Sequence, residues 1–235
     1  MNIYLVTFKV TENILIFAKK KYRIIMKKFL VLSACVAAVL LTACKGQENV
    51  AKEPSALDVI MTRTSIRAFT GEPVAKEQLE TILKAGMAAP TAINSQPWRF
   101  VVVTDKDKIN EIFGQGPRSG MFTTAGAVIV VCGQTTQMRK PFGQPDAPET
   151  EQPNIFWYED CSAATENILL AAHALGLGAV WTAGYPAQER IAPIAEALGL
   201  PQNVVPLSII PVGVPAENPE PKDKWKPENI HWEQW

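Results

Sequence analysis

Histidine and cysteine are scarce in this chain, and the usual nucleotide and hydrolase signatures are missing. Two histidines and four cysteines, with no C-x-x-C pair, leave too few ligands for a zinc or iron–sulfur centre. No G-x-G-x-x-G and no G-x-x-x-x-G-K-[ST] occurs, so neither the dinucleotide fingerprint nor the P-loop is present. A serine hydrolase lacks its G-x-S-x-G elbow, and no internal repeat is visible. No apolar run reaches the roughly 20 residues of a spanning helix. A surplus of either charge is also absent, because 23 Lys/Arg balance 23 Asp/Glu.

That balance conceals an asymmetry. Residues 1–44 hold seven Lys/Arg and one Glu, leaving 16 bases against 22 acids in the remainder. An acidic domain of this kind is a poor nucleic-acid binder, and it makes clustered arginines within it more informative. The first 44 residues read as an export segment: Met26-Lys27-Lys28 opens a basic region, Phe29 to Leu41 is apolar, and Leu41-Thr42-Ala43-Cys44 has the form of a bacterial lipobox. Cys44 is then the lipid attachment site and the mature N-terminus, anchoring the protein in the cell envelope through several acyl chains. A translation start at Met26 accounts for residues 1–25, which are unlike a signal peptide. Residues 45–55 form a polar tether, and 56–235 form one domain that ends in a proline-rich arm, 215–235.

Within that domain, Ala56 to Met61 starts an apolar-faced helix, and Lys76 to Ala88 places Leu79, Ile82, Leu83 and Met87 at helical spacing before Pro90. Trp98 to Val103 reads as a strand, and Asp105 to Phe113 as a short helix with Asp105 as its cap. Ala125 to Cys132 is a continuous apolar strand expected to be buried on both faces. Gly133 to Pro153 lacks periodicity and reads as a long loop, either a lid on the substrate side or a plain insertion. Asn154 to Leu175 is the longest helix candidate. His173 on it has no carboxylate three or four positions away and reads as a packed residue. Ala179 to Thr182 and Leu207 to Val214 are further strands, with a helix over Gln188 to Leu198. Cys132 reads as buried in its strand and Cys161 as helical. A disulfide between them stays open, since spacing does not fix their distance.

Chemistry concentrates between Arg63 and Phe100. Arg63-Thr64-Ser65-Ile66-Arg67-Ala68-Phe69 carries two guanidiniums four positions apart, which share one side of a helical turn with a hydroxyl between them and suit one phosphate. Ala89-Pro90-Thr91-Ala92-Ile93-Asn94-Ser95-Gln96-Pro97-Trp98-Arg99-Phe100 supplies neutral donors and acceptors in a loop stiffened by two prolines, suited to a polyol or a heterocycle edge. Separately, each block has a bland reading, as solvated arginines and a simple turn. Together they point to a phosphorylated aromatic cofactor.

In order and wording, R-T-S-I-R-x-F followed by A-P-T-x-x-N-x-Q-P-W-x-F resembles the nitroreductase family of FMN-dependent oxidoreductases, and the likeness extends over roughly residues 56–235. The resemblance implies an α+β fold, a three-layer sandwich whose mostly antiparallel central sheet is flanked by helices, in a homodimer. It implies that Arg63, Ser65 and Arg67 hold FMN, and that Pro90, Thr91, Asn94 and Gln96 reach the cofactor of the neighbouring subunit. Thr182, Ala183 and Gly184 match the segment whose main chain faces flavin N5, with Ala183 where many relatives carry Glu. Lys222 and Lys224 match a late basic pair that completes the phosphate site. The arm with its tryptophans is expected to pack on the neighbouring subunit. No side chain is expected to act as acid, base or nucleophile, because the flavin carries the redox chemistry. The implied activity is ping-pong hydride transfer from a reduced donor, NAD(P)H in the family, to a nitroaromatic, quinone or similar acceptor. A second reading is an exported flavin-binding or electron-carrying lipoprotein with little turnover of small molecules.

Overall fold

The computed structural model describes residues 54–235 together with Tyr22 and Met26. The proposed signal segment, lipobox and most of the tether lie outside the described residues. The elements in order are α1 (Ala56–Thr62), α2 (Lys76–Met87), a 3-10 turn (Ala92–Asn94), β1 (Trp98–Val103), α3 (Lys106–Phe113), α4 (Gly120–Thr123), β2 (Ala127–Gln134), β3 (Thr136–Arg139), β4 (Thr150–Pro153), α5 (Trp157–Ala174), β5 (Gly178–Ala179), β6 (Thr182–Ala183), α6 (Gln188–Ala197) and β7 (Val204–Gly213), before a second 3-10 turn (Pro227–Asn229).

The sheet is ordered β1-β2-β7-β5, with β6 also pairing β7, and every pairing is antiparallel. β2 is its centre and is buried from Ala127 to Gly133. Successive side chains of a strand point to opposite faces, so one apolar run feeds two cores. Ala127, Ile129 and Val131 pack with Leu79 and Ile82 of α2 and with Cys161, Ile168 and Leu169 of α5. Val128, Val130 and Cys132 pack with Ile109 and Phe113 of α3 and with Ile194 of α6. This is the three-layer α+β sandwich expected from the sequence.

Local chemistry sets the ends of these elements. Ser55 caps α1, accepting from the Asp58 N–H at 3.2 Å while Asp58 Oδ2 accepts from the Ser55 N–H at 3.0 Å. Asp105 caps α3 through the Lys108 N–H at 2.8 Å, as expected. The strand expected from Leu207 in fact begins at Val204. Pro206 is tolerated there because the register against β2 shifts between Val131 and Cys132, which leaves Leu207 as an extra residue and makes a bulge beside the proline. The segment read as a long loop, Gly133 to Pro153, instead carries the β3–β4 hairpin, with Thr136 opposite Pro153 and Arg139 opposite Thr150. Its polar, half-exposed residues give no apolar alternation to read.

Cys132 and Cys161 are both buried free thiols. The disulfide left open by the sequence is excluded by layer: the Cys132 side chain belongs to the core beneath α3 and α6, whereas Cys161 lies in the core beneath α5. Cys161 Sγ lies 3.5 Å from the Cys132 carbonyl oxygen, across the strand from the other thiol. Burial pushes both thiols up to about 12. At pH 8 only about one in ten thousand of such groups is thiolate, the reactive form. In the chain from Lys45 onward, Ellman's reagent at pH 8 is therefore expected to find no fast thiol in the native state and two after denaturation. Finding none after denaturation would mean a disulfide.

α5 ends at Leu175, and Gly176 (φ 74°) turns the chain back toward β5. Gly178 then passes so close to Ile66 that a Cβ there would lie 2.6 Å from Ile66 Cγ2. Gly178→Ala is expected to lower stability by about 1–3 kcal/mol through overpacking. In urea unfolding, Ile66→Ala combined with it should give less than the sum of the two losses; strict additivity would show that the contact is not the cause.

Candidate functional site

α1 stops at Thr62, because Arg63 has left helical geometry (φ −57°, ψ 127°). The chain then runs extended, so the two guanidiniums do not share a helical turn, contrary to the sequence reading. The segment is instead laid along the sheet edge. Ile66 N–H donates to the Ala179 carbonyl at 3.1 Å, Thr70 N–H to Val214 at 3.0 Å, and Ala216 N–H to Ala68 at 2.9 Å. Ile66 and Phe69 point inward and are buried, which leaves Arg67 exposed.

The two arginines have separate surroundings. Arg63 lies over α5, with its Nε 3.6 Å from Glu166 Oε1 and a side chain only 16% exposed. Its Nη1 is buried with no hydrogen-bond partner. Such a donor is costly to leave unpaired, so it marks a place for an acceptor. The Arg67 main-chain N–H donates to Glu217 Oε1, as does that of Ala68 at 3.1 Å, and Arg67 Nη1 reaches the Ser65 carbonyl at 3.4 Å.

Arg67 lines a cleft of about 710 Å³ together with Phe69, Trp181, Thr182 and Ala183. Arg118 and Arg190 line it too, and no carboxylate does. Neither arginine was found from the sequence. Arg190 follows from the α6 geometry, its Nη1 donating to the Ala183 carbonyl at 2.6 Å. Arg118 lies in the Gly116-Pro117-Arg118-Ser119-Gly120 loop, and the one available signal was a lone base in turn-forming company within an acidic domain. Three guanidiniums on a partly apolar wall give a field that favours an anion or a ring that gains negative charge.

Gly184 has a task within the fold itself. Its N–H already donates to the Leu207 carbonyl at 2.8 Å, and a Cβ would meet that same oxygen at 3.1 Å. The glycine is thus required by its own β7 neighbour. Thr182 is fixed by Oγ1 donating to Ile209 O at 2.6 Å.

Of the second polar block, Ala92, Ile93 and Ser95 line a different groove, whereas Pro90, Thr91, Asn94 and Gln96 line neither cavity. Ile93, Asn94 and Gln96 all have positive φ (50°, 57° and 46°), a strained geometry for residues other than glycine and most of all for β-branched Ile93. Neighbouring groups hold it there. Asp160, near the start of α5 and 6% exposed, accepts from the Ala92 N–H at 2.9 Å and the Ser95 hydroxyl at 3.2 Å. Thr91 Oγ1 accepts from the Gln96 N–H at 3.1 Å, and Gln96 Nε2 donates to Asn94 Oδ1 at 2.9 Å. Neither Pro90 nor any residue of this loop lines the arginine cleft. Lys222 and Lys224 are exposed on the arm and line neither cavity, and Trp225, Trp232 and Trp235 stand open on the same arm in the single chain.

His173 is a packing residue, as read. Its Nε2 is 2.9 Å from Thr62 Oγ1, whose own proton goes to the Asp58 carbonyl, so the imidazole donates. Burial, and then the Arg63 charge, hold its pKa below the usual histidine range.

The sequence profile of the nitroreductase family matches residues 60–117 and 113–214. A provisionally named NADH dehydrogenase/NAD(P)H nitroreductase of Methanothermobacter thermautotrophicus is 40% identical over 179 residues, spanning 76% of this chain and 87% of that protein. Among solved structures, a Bacteroides thetaiotaomicron protein with the same provisional name is 40% identical, with a TM-score of 0.67 over 77% of this chain and 98% of that one. The FMN-dependent nitroreductase of Clostridium difficile R20291 is 26% identical with a TM-score of 0.64, covering 76% and 99%. This chain belongs to the nitroreductase family.

Asp160 is the residue that holds the strained loop. Asp160→Ala is expected to lower stability by about 1–2 kcal/mol, since it removes the acceptor of the half-buried Ala92 N–H and of the Ser95 hydroxyl. Hydrogen exchange should rise at residues 92–96 in particular. Unchanged protection there would mean that the loop is held by other contacts.

Proposed function

We propose that the chain is a flavin oxidoreductase that works as a homodimer, with each FMN held by residues of both subunits. The observation that carries this reading is the cleft lined by three arginines and no carboxylate, to which Arg63, outside that lining, adds a buried unpaired donor. Bound FMN supplies two-electron hydride chemistry in a ping-pong sequence, from a reduced donor such as NAD(P)H to a nitroaromatic, quinone or similar acceptor. The protein's part is to bind and tune it. Arg63 Nη1 offers a donor to a phosphate oxygen, with Ser65 beside it and Lys222 and Lys224 brought in by the arm. Arg67, Arg118 and Arg190 set a positive potential along the ring, which favours its anionic reduced form. Thr182 and Ala183 form the main-chain edge beneath it. Pro90, Thr91, Asn94 and Gln96 of the partner subunit close the site, which gives their loop a use that its own chain does not. The tryptophans of the arm find their cover on that partner.

Export as a lipoprotein through Cys44 is part of the same reading. It places the enzyme in the cell envelope, away from cytoplasmic nicotinamides, and makes a membrane quinol or redox protein a natural donor. The chain purified from Lys45 onward is expected to be yellow, absorbing near about 450 nm, with one FMN per chain. Arg67→Ala should weaken FMN binding by roughly tenfold or more. Stopped-flow bleaching by NADPH, NADH and a quinol in turn identifies the donor, and reduction without turnover of any small acceptor would favour the electron-carrier alternative. A colourless protein with no affinity for added FMN would sink the reading.

A further inference from the structure

The β3–β4 hairpin and the strained loop enclose a second groove, of about 420 Å³, which the arginine cleft does not absorb. Ile93, Phe142, Ile155 and Phe156 make most of its wall apolar, and Arg139 and Asn154 also line it. Asn154 is 5% exposed. Its N–H donates to the Thr135 carbonyl and its Nδ2 to the Gln134 carbonyl, at 2.8 and 2.9 Å, which pins the base of the hairpin. Its Oδ1 is buried and accepts nothing. Arg139, at the end of β3, gives Nη2 to the Pro153 carbonyl at 2.8 Å, while its Nε is buried without an acceptor. Among the described residues no carboxylate pairs with that guanidinium.

The two residues that carry these atoms, a buried acceptor without a donor and a buried donor without an acceptor, line the same apolar groove. A ligand that answers both offers one acceptor and one donor on a flat apolar body, and an oxygen beside an N–H is the compact form of that pair. We propose that this groove selects the electron acceptor, and that Arg139 and Asn154 together recognise an amide-type edge on an aromatic ring. The carbonyl oxygen accepts from Arg139 Nε, and the amide N–H donates to Asn154 Oδ1. Ile93, Phe142 and Phe156 take the ring. A carboxylate fits worse despite the positive charge of Arg139, because it sets a second oxygen against Asn154 Oδ1. An alkyl group leaves both buried atoms unpaired. The inference rests on the flavin oxidoreductase reading above, in which the loop lining this groove is the one that reaches the neighbouring cofactor.

The test uses the FMN-loaded protein and three compounds sharing one nitro group: 4-nitrobenzamide, 4-nitrobenzoate and 4-nitrotoluene. Calorimetry with benzamide, which is not reduced, provides a readout independent of turnover. The amide is expected to exceed each of the others in kcat/KM by about tenfold or more. Arg139→Lys keeps the charge and loses the Nε donor, and Asn154→Ala loses the acceptor. Each should bring that ratio to within about threefold and weaken benzamide binding by about tenfold. If Asn154→Ala fails to fold, because Nδ2 pins the hairpin, Arg139→Lys decides alone. A preference for 4-nitrobenzoate would overturn the proposal in favour of a site for charge. Equal rates for all three with no benzamide heat would overturn it outright. Benzamide binding that depends on Arg139, in a protein that reduces no nitro compound, would uphold the recognition site while removing the reading of function beneath it.

Discussion

The burial of one stripe of α5 against the central strands is the constraint from which the rest of the molecule follows. Trp157, Asp160, Cys161, Ala164, Thr165, Ile168, Leu169 and Ala172 lie on that stripe, recurring every three or four residues. Asp160 and Thr165 are its polar members, and the Thr165 hydroxyl meets the Ser208 hydroxyl at 2.9 Å, which registers the helix on β7. Once the helix is fixed in this way, so are the groups it carries. Asp160 holds the strained loop and Glu166 meets Arg63, six residues or about 9 Å further along the axis. His173 takes up Thr62 another two turns on. Both polar blocks of the sequence are thus referenced to a single rigid element, at different levels.

The strain in the 91–96 loop has a physical meaning in this frame. Three residues in the left-handed region cost on the order of 1–3 kcal/mol each. Hydrogen bonds to a buried carboxylate are among the stronger compensations available, and Asp160 accepts two. A loop held in this manner presents Asn94 and Gln96 in a fixed arrangement and has little entropy left to lose when something binds. The same logic explains the Arg67 segment, whose main chain is tied on both sides to the sheet edge while its side chain is left for the cleft.

Much of this was legible from residue pattern alone. The limits of β1 and α3 follow from the aromatic and valine-rich run that closes at Val103 and from the Asp105 cap, and both cores follow from the alternation within β2. What failed did so for definable reasons. Arg63 and Arg67 are four residues apart, the spacing of one helical turn, and that spacing alone does not show that the helix has already ended at Arg63. The strand read from Leu207 missed Val204 to Pro206, because the register shift that admits the proline is set by β2, some seventy positions away. The β3–β4 hairpin buries too little to show a period. Arg118 and Arg190 converge on Arg67 only through tertiary contacts, which no local window contains.

Charge decides how the two halves of the reading fit together. The chain beyond residue 44 is acidic, yet the arginine cleft is positive, and these statements conflict only if both act at the same range. At physiological ionic strength exposed charges fade over about 8 Å, so distant acids contribute little inside the cleft while three guanidiniums on one wall act at contact. Glu217 is the nearest exception, and its carboxylate is turned toward two main-chain N–H groups, so that it positions the Arg67 segment. An acidic exterior then repels anions at large without emptying the site. Inside the cleft the three arginines favour a group that brings negative charge within contact range.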